Sequence, residues 1–198
     1  MRFIFIRHGE TDWNKEGRFQ GQHDIPLNQT GILQARRVVE LIRDIPIDAV
    51  YSSPLERARN TAEIIVSEKN LTLFQDDRLK ELDFGEWDGC IRSEIEAIDT
   101  ARFREFCLHP STALIPGEGS MKKAYIRVAE AIEDYRLRYS DADANVLIVS
   151  HATAIKLMIL FLLGIGAEGF QMLQIDNAAV SSLRSVNGGF VLEYLNRV

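Results

Sequence analysis

Four short apolar runs, at residues 3–6, 48–51, 71–74 and 146–149, alternate with segments of helical period. That alternation limits the fold more than any other feature. Parallel neighbours in a sheet need a crossover of about a dozen residues or more, and a helix supplies it. After Gly31, the residues Ala35, Val38, Val39 and Ile42 fall at i, i+3, i+4 and i+7, one face of a helix. Ala58, Thr61, Ala62 and Ile65 repeat the spacing, and Met121, Tyr125, Val128, Ile132 and Tyr135 mark the inner face of a longer helix over 121–139. Residues 152–163 are apolar nearly all round, which predicts a buried helix. The tail, 180–186 and 190–195 around Asn187-Gly188-Gly189, predicts a hairpin. The expected class is α/β: a three-layer α/β/α sandwich with a mostly parallel sheet, an antiparallel edge strand and a small helical cap. One domain over 1–198 is expected, with the cap-like insertion at about 76–118, where short helices at 92–98 and 101–108 sit among loops.

In open α/β sheets ligands bind outside the carboxyl ends of the strands. The first strand ends in Arg7-His8-Gly9-Glu10-Thr11, the second in Ser52-Ser53-Pro54-Leu55-Glu56-Arg57, and the fourth in Ser150-His151. Two histidines and two arginines are thus expected in one crevice from distant chain positions. Guanidinium forks match phosphate oxygens, and they disfavour the charged form of a neighbouring imidazole. A neutral imidazole can attack phosphorus while a second one hydrogen-bonds the transferring group, giving a phosphohistidine intermediate. An alkoxide leaving group also needs a general acid. The stretch Lys80-Glu81-Leu82-Asp83-Phe84-Gly85-Glu86-Trp87 offers Glu81, Asp83 and Glu86 equally.

The 198 residues carry a formal net charge of −6, which excludes the broad basic face that coats nucleic acid. It does not exclude a few focused cations binding one phosphoryl group. The greasiest stretch, 155–165, is interrupted by Lys156 and Gly164 and is shorter than the ~20 apolar residues of a membrane span. Cys90 and Cys107 fit neither a metal pair nor a disulfide framework and read as packing residues in a reducing, cytoplasmic setting. The expected partner is a small phosphorylated metabolite, with no nucleic acid and no membrane.

Arg7-His8-Gly9-Glu10-Thr11 with Trp13-Asn14 resembles the signature of the histidine phosphatase superfamily, the phosphoglycerate mutase-like proteins. The resemblance continues through Arg18-x-Gln20-Gly21, Asp24-x-Pro26-Leu27 and Gly31 with Gln34-Ala35. It resumes at Ser52-Ser53-Pro54-Leu55-x-Arg57-Ala58-x-x-Thr61-Ala62, Glu81-Leu82-x-Phe84-Gly85-x-Trp87-x-Gly89 and Val149-Ser150-His151. It implies a phosphorylated nucleophile at His8 and a proton donor at Glu81, which is how Glu81 is chosen. It further implies that Arg7, Arg57 and His151 bind the phosphoryl group and that Asn14 adds an amide donor. Gln20 and Gly21 resemble the segment that closes over substrate, and Arg59 would reach the substrate's far end. The family uses no metal and no other cofactor, and a homodimer is its habit although no residue here demands one.

Two departures stand out. The chain has Gly117-Glu118-Gly119-Ser120 where many relatives have Gly-Glu-Ser, and Ala152-Thr153 after His151 where mutases tend to have Gly-Asn. With the short cap, these favour a small phosphatase over a mutase. A mutase and a silent phospho-ligand-binding module are the alternatives. His23 and His109 are expected in surface loops without a role, and Trp87 and Phe84 in local core.

Overall fold

The structure, a computed structural model, describes residues 1–140 and 143–198. In chain order its elements are β1 (Arg2–Arg7), α1 (Asp12–Glu16), α2 (Gln29–Leu41), β2 (Ala49–Ser52), α3 (Glu56–Lys69), β3 (Leu73–Gln75), α4 (Arg92–Ile98), α5 (Thr100–Leu108), β4 (Leu114–Ile115), β5 (Gly119–Ser120), α6 (Met121–Arg138), β6 (Asn145–Ser150), α7 (Ala152–Leu162), β7 (Val180–Val186) and β8 (Gly189–Arg197). The main sheet has the order β3-β2-β6-β1-β7-β8. The first four strands in that order are parallel, β7 runs against β1, and β8 runs against β7.

Strand alternation divides the core into two layers. Phe3 and Phe5 of β1, Tyr51, Val146 and Ile148 pack with α6 and α7, whereas Ile4, Ile6, Val50, Leu147 and Val149 pack with Val38, Ala58, Ala62 and Ile65 of α2 and α3. Both faces are covered, so the central strands read as unbroken apolar runs rather than alternating ones. The all-round apolar α7 is buried accordingly, from Thr153 through Leu162 apart from Lys156 and Phe161.

Several boundaries differ from the sequence expectation by a residue or two, and two of them have a clear local cause. The third strand starts at Leu73 rather than residue 71, because α3 closes through Asn70 at φ 52° with the Leu71 N–H on the Val66 carbonyl. The helix cap uses the residue that the apolar run assigned to the strand. The carboxy-terminal hairpin turns at Asn187 and Gly188, both with positive φ, as a tight two-residue turn requires. Its inner strand β7 is the one that opposes the parallel set, and β8 forms the sheet edge.

Residues 76–118 hold short 3-10 turns at Asp77–Leu79 and Gly85–Trp87, helices α4 and α5, and the ribbon β4–β5. Leu79, Leu82, Trp87, Ile95, Phe103 and Ile115 are buried in the same cluster as β1 and α6. Trp87 meets Phe103 edge-on at 5.5 Å and donates from Nε1 to Asp99 Oδ2 at 3.0 Å. Emptying such a site costs about 3–5 kcal/mol, so this stretch is anchored to the main core. Among the described residues no helix is long and apolar enough to cross a membrane. Cys90 and Cys107 are free and half-buried.

Candidate active site

Sheet register brings the chemistry together. Arg7 of β1 lies opposite Ser150 of β6, and Ser52 of β2 lies opposite Val149. The residues that follow each strand, His8, Ser53 and His151, therefore emerge side by side at the carboxyl edge. The His8 and His151 rings stand 5.1 Å apart between centroids.

The His8 Nδ1 donates to the Gly9 carbonyl at 2.7 Å, which leaves Nε2 as the lone-pair nitrogen. Arg57 Nε donates to that Nε2 at 3.2 Å. Gly9 must be a glycine, because a Cβ there would run into the Gly31 backbone, and its N–H is held by Thr61 Oγ1. His151 Nε2 pairs with Ser53 Oγ at 2.8 Å, and that oxygen already accepts the Leu55 N–H. Ser53 Oγ has a second lone pair as well as its own proton, so it can accept from or donate to Nε2, and the contact is compatible with either neutral tautomer of His151. His151 Nδ1 is buried without a partner, and so are Arg7 Nε and Gln20 Oε1. Buried orphans of this kind mark places where a ligand completes the hydrogen bonding.

Arg57, in the first turn of α3, is 1% exposed. Its Nη1 and Nη2 donate to the His23 and Gly21 carbonyls, each at 2.7 Å. Arg7 Nη1 donates to the Ile175 carbonyl at 2.8 Å. Burial holds both guanidiniums below their usual range, Arg57 down to about 10, and both remain cations at neutral pH. Both imidazoles are pushed well below 6.5, first by burial and then by the positive guanidiniums. They are neutral under cellular conditions.

Glu81 is the carboxylate of the 80–86 stretch that lines the same cavity. Its Oε1 accepts from the Leu82 N–H at 3.0 Å and its Oε2 from the Thr153 N–H, in the first turn of α7, at 3.2 Å. The other carboxylates of that stretch are engaged elsewhere: Asp83 accepts the Gly85 N–H, and Glu86 pairs with Arg102. The displaced Glu118 accepts from the Asp83 N–H and from Arg127 Nη2, and Arg127 also reaches the carbonyls of Arg78, Lys80 and Glu81. Glu118 thus supports the segment that carries Glu81.

Asn14 has its amide oxygen occupied by the Thr11 N–H and Asn177 Nδ2, so its NH2 is the end left for a ligand. Gln20 is buried and lines the cavity. Gly21 has φ 46°, and a Cβ on it would collide with the Asp88 carboxylate. Asp88 is raised to about 6, chiefly by burial. Arg59 stands outside the lining of the cavity and faces Glu63 one turn along α3, about 200° round the helix from Arg57. His23 contributes its carbonyl to Arg57, while its exposed ring lies beside Trp13. Phe84 lines the cavity, whereas Trp87 stays in the core.

Sequence reasoning missed Asn177, whose Nδ2 reaches the His8 and Gly9 carbonyls and Asn14. The polar pair Asp176-Asn177 immediately before β7 was the available signal. The cavity holds about 380 Å³. Among the described residues no group of three or more His, Cys, Asp or Glu side chains is gathered as a metal site would need.

An α/β sandwich that turns two guanidiniums onto a sheltered pair of neutral imidazoles at its strand ends is, in class, a phosphoryl-binding protein. Known proteins place it further. The chain is 32% identical over 196 residues to phosphoserine phosphatase 1 of Hydrogenobacter thermophilus, covering 99% of this chain and 92% of the relative. It is 31% identical to the adenosylcobalamin/alpha-ribazole phosphatase of Salmonella typhimurium, covering 99% and 96%. A putative alpha-ribazole-5'-P phosphatase from Escherichia coli superposes with a TM-score of 0.89 at 30% identity, covering 99% and 96%. The model of the histidine phosphatase superfamily (branch 1) matches residues 3–198, and the chain belongs to that family. It is a phosphoric monoester hydrolase.

Proposed function

We propose that the chain hydrolyses small phosphomonoesters by two displacements at His8, with residues 76–118 acting as a cap over the site. The observation that carries this reading is the Nδ1 bond to the Gly9 carbonyl, which fixes the His8 tautomer with Nε2 available between the arginines. In the first step Nε2 attacks phosphorus, the ester P–O bond breaks, and the Glu81 carboxyl gives its proton to the departing alkoxide. Arg7, Arg57 and the His151 Nδ1–H bind the equatorial oxygens, with the Asn14 NH2 beside them. Arg57 Nε transfers its hydrogen bond from Nε2 to a phosphoryl oxygen as the N–P bond forms. In the second step water attacks, its proton passes to the Glu81 carboxylate, and the N–P bond breaks to release phosphate.

Preorganised donors around developing charge supply the largest share of such catalysis. The donors here are anchored to carbonyls of Gly21, His23 and Ile175, so little reorganisation accompanies the reaction. Rapid acid quench during turnover is expected to trap one acid-labile, alkali-stable phosphate per chain. His8→Ala is expected to lose both that phosphate and at least ~10³-fold of kcat. Full turnover by His8→Ala would refute the assignment. Redistribution of phosphate between two hydroxyls of a bisphosphorylated substrate, with no net release, would instead identify mutase chemistry.

A further inference from the structure

Beyond its cationic floor the cavity changes character. Phe19, Phe84, Phe106 and Phe170 line it. The Phe19 and Phe84 rings meet edge-on at 5.1 Å and Phe84 and Phe106 at 6.0 Å. Phe19, Phe106 and Phe170 are only half-buried, so their apolar faces meet solvent at the mouth. They come from four separate segments: the loop after α1, the loop before a 3-10 turn, α5, and the 3-10 turn Ala167–Met172. A core stripe on one helix cannot account for them.

The cations near this wall are already engaged. Arg7 and Arg57 are committed to the floor. Arg18 lines the cavity, but its Nε is held by Glu16 and its Nη1 by the Gly89 carbonyl, both at 2.6 Å. Lys156 is absent from the lining and lies 4.4 Å from the centre of the Phe170 ring. Among the described residues that line the cavity no ammonium or guanidinium lacks a partner, so a leaving group with its own carboxylate would find four rings there, with the Lys156 ammonium against the Phe170 ring. An apolar ring would remove the phenylalanine faces from water, a favourable exchange, and gain edge and offset ring contacts. The cavity volume falls within the ~300–1,000 Å³ typical of small-molecule sites.

We infer that the leaving group of the substrate is an aromatic alcohol rather than a hydroxy acid. This inference rests on the phosphomonoesterase reading above, and its test separates the two. Ethyl phosphate, 2-naphthylmethyl phosphate, O-phosphoserine and 3-phosphoglycerate all depart as primary alkoxides, so their ratios of kcat/KM report the wall rather than the leaving-group chemistry. The naphthylmethyl ester is expected to exceed ethyl phosphate and both hydroxy-acid esters at least about tenfold. Phe106→Leu and Phe170→Leu are each expected to shrink that ratio about threefold or more, chiefly through a higher KM. Equal rates for all four esters would overturn the inference and leave the phosphatase standing. So would a preference for O-phosphoserine or 3-phosphoglycerate, and loss of that preference in Lys156→Met would name the ammonium responsible. No hydrolysis of any ester, with no phosphate trapped on His8, would overturn the underlying reading and this inference with it.

Discussion

The two ends of one cavity are built on opposite principles. At the floor, His8 and Arg57 are buried, Arg7 is half-buried, and His151 lies buried behind the lining, each with a backbone or hydroxyl partner. At the mouth, the half-buried Phe19 and Phe106 meet the buried Phe84 ring edge-on and rest on Phe103 of the core by ring packing without hydrogen bonds. Hydrogen bonds are directional, so the floor is held to one geometry. Ring packing tolerates repositioning, so the mouth can be altered without dismantling the floor. The contrast separates phosphoryl recognition from leaving-group recognition within a few residues.

The largest test of that separation is Glu81→Gln, since Glu81 sits where floor and mouth meet. Alkyl phosphate turnover is expected to fall by about 10²–10⁴-fold. An activated aryl ester such as 4-nitrophenyl phosphate, which leaves without a proton, should be phosphorylated onto His8 far less impaired. Equal losses on both in single-turnover phosphorylation would remove Glu81 as proton donor.

A smaller effect tests how strongly burial governs the floor. In the unfolded chain imidazole binds a proton near pH 6.5, whereas His8 and His151 stay neutral well below that value in the folded protein. The unfolded state therefore binds more protons as pH falls through this window, and stability is lost with it. Asp88 acts in the other direction, because its folded value of about 6 lies above that of an unfolded aspartate. Two imidazoles against one carboxyl leave the unfolded state with the larger uptake of protons as pH falls, so acid destabilises the fold. Urea denaturation at pH 7.5, 6.5 and 5.5 should show stability declining with acid, and His151→Asn should flatten the decline. An unchanged slope in that variant would contradict the buried, neutral histidine.

The smallest expected effect lies at the join between the regions. Gly21→Ala places a methyl against Asp88 at a positive φ, next to the carbonyl that holds Arg57. A stability loss of about 1–3 kcal/mol is expected by calorimetry, with reduced affinity for vanadate as a phosphoryl mimic. Wild-type vanadate affinity in this variant would uncouple the 20–24 loop from the floor.

The floor was legible in the chain because polar residues ending apolar runs are conspicuous and parallel strands bring those ends to one edge of the sheet. Arg7, His8, Arg57 and His151 needed only the alternation of strands and helices to converge. Glu81 was not separable from Asp83 and Glu86 by residue type, since only the fold decides which carboxylate of a loop turns inward. Phe106 and Phe170 carry no periodic signal and were invisible for that reason, whereas Asn177 was marked only by its polar neighbour Asp176 ahead of β7.

The Asn177 amide has a consequence for how the protein comes into being. It ties the backbone of His8 and Gly9 to Asn14 from 163–169 residues away in the chain. On either side of β1 lie β6 (Asn145–Ser150) and β7 (Val180–Val186), also distant along the chain. β1 thus waits for these later segments before its histidine is seated. A ribosome-bound fragment ending before residue 177 has the nucleophile but lacks its keystone, so hydrolytic competence arrives late and abruptly rather than growing with chain length.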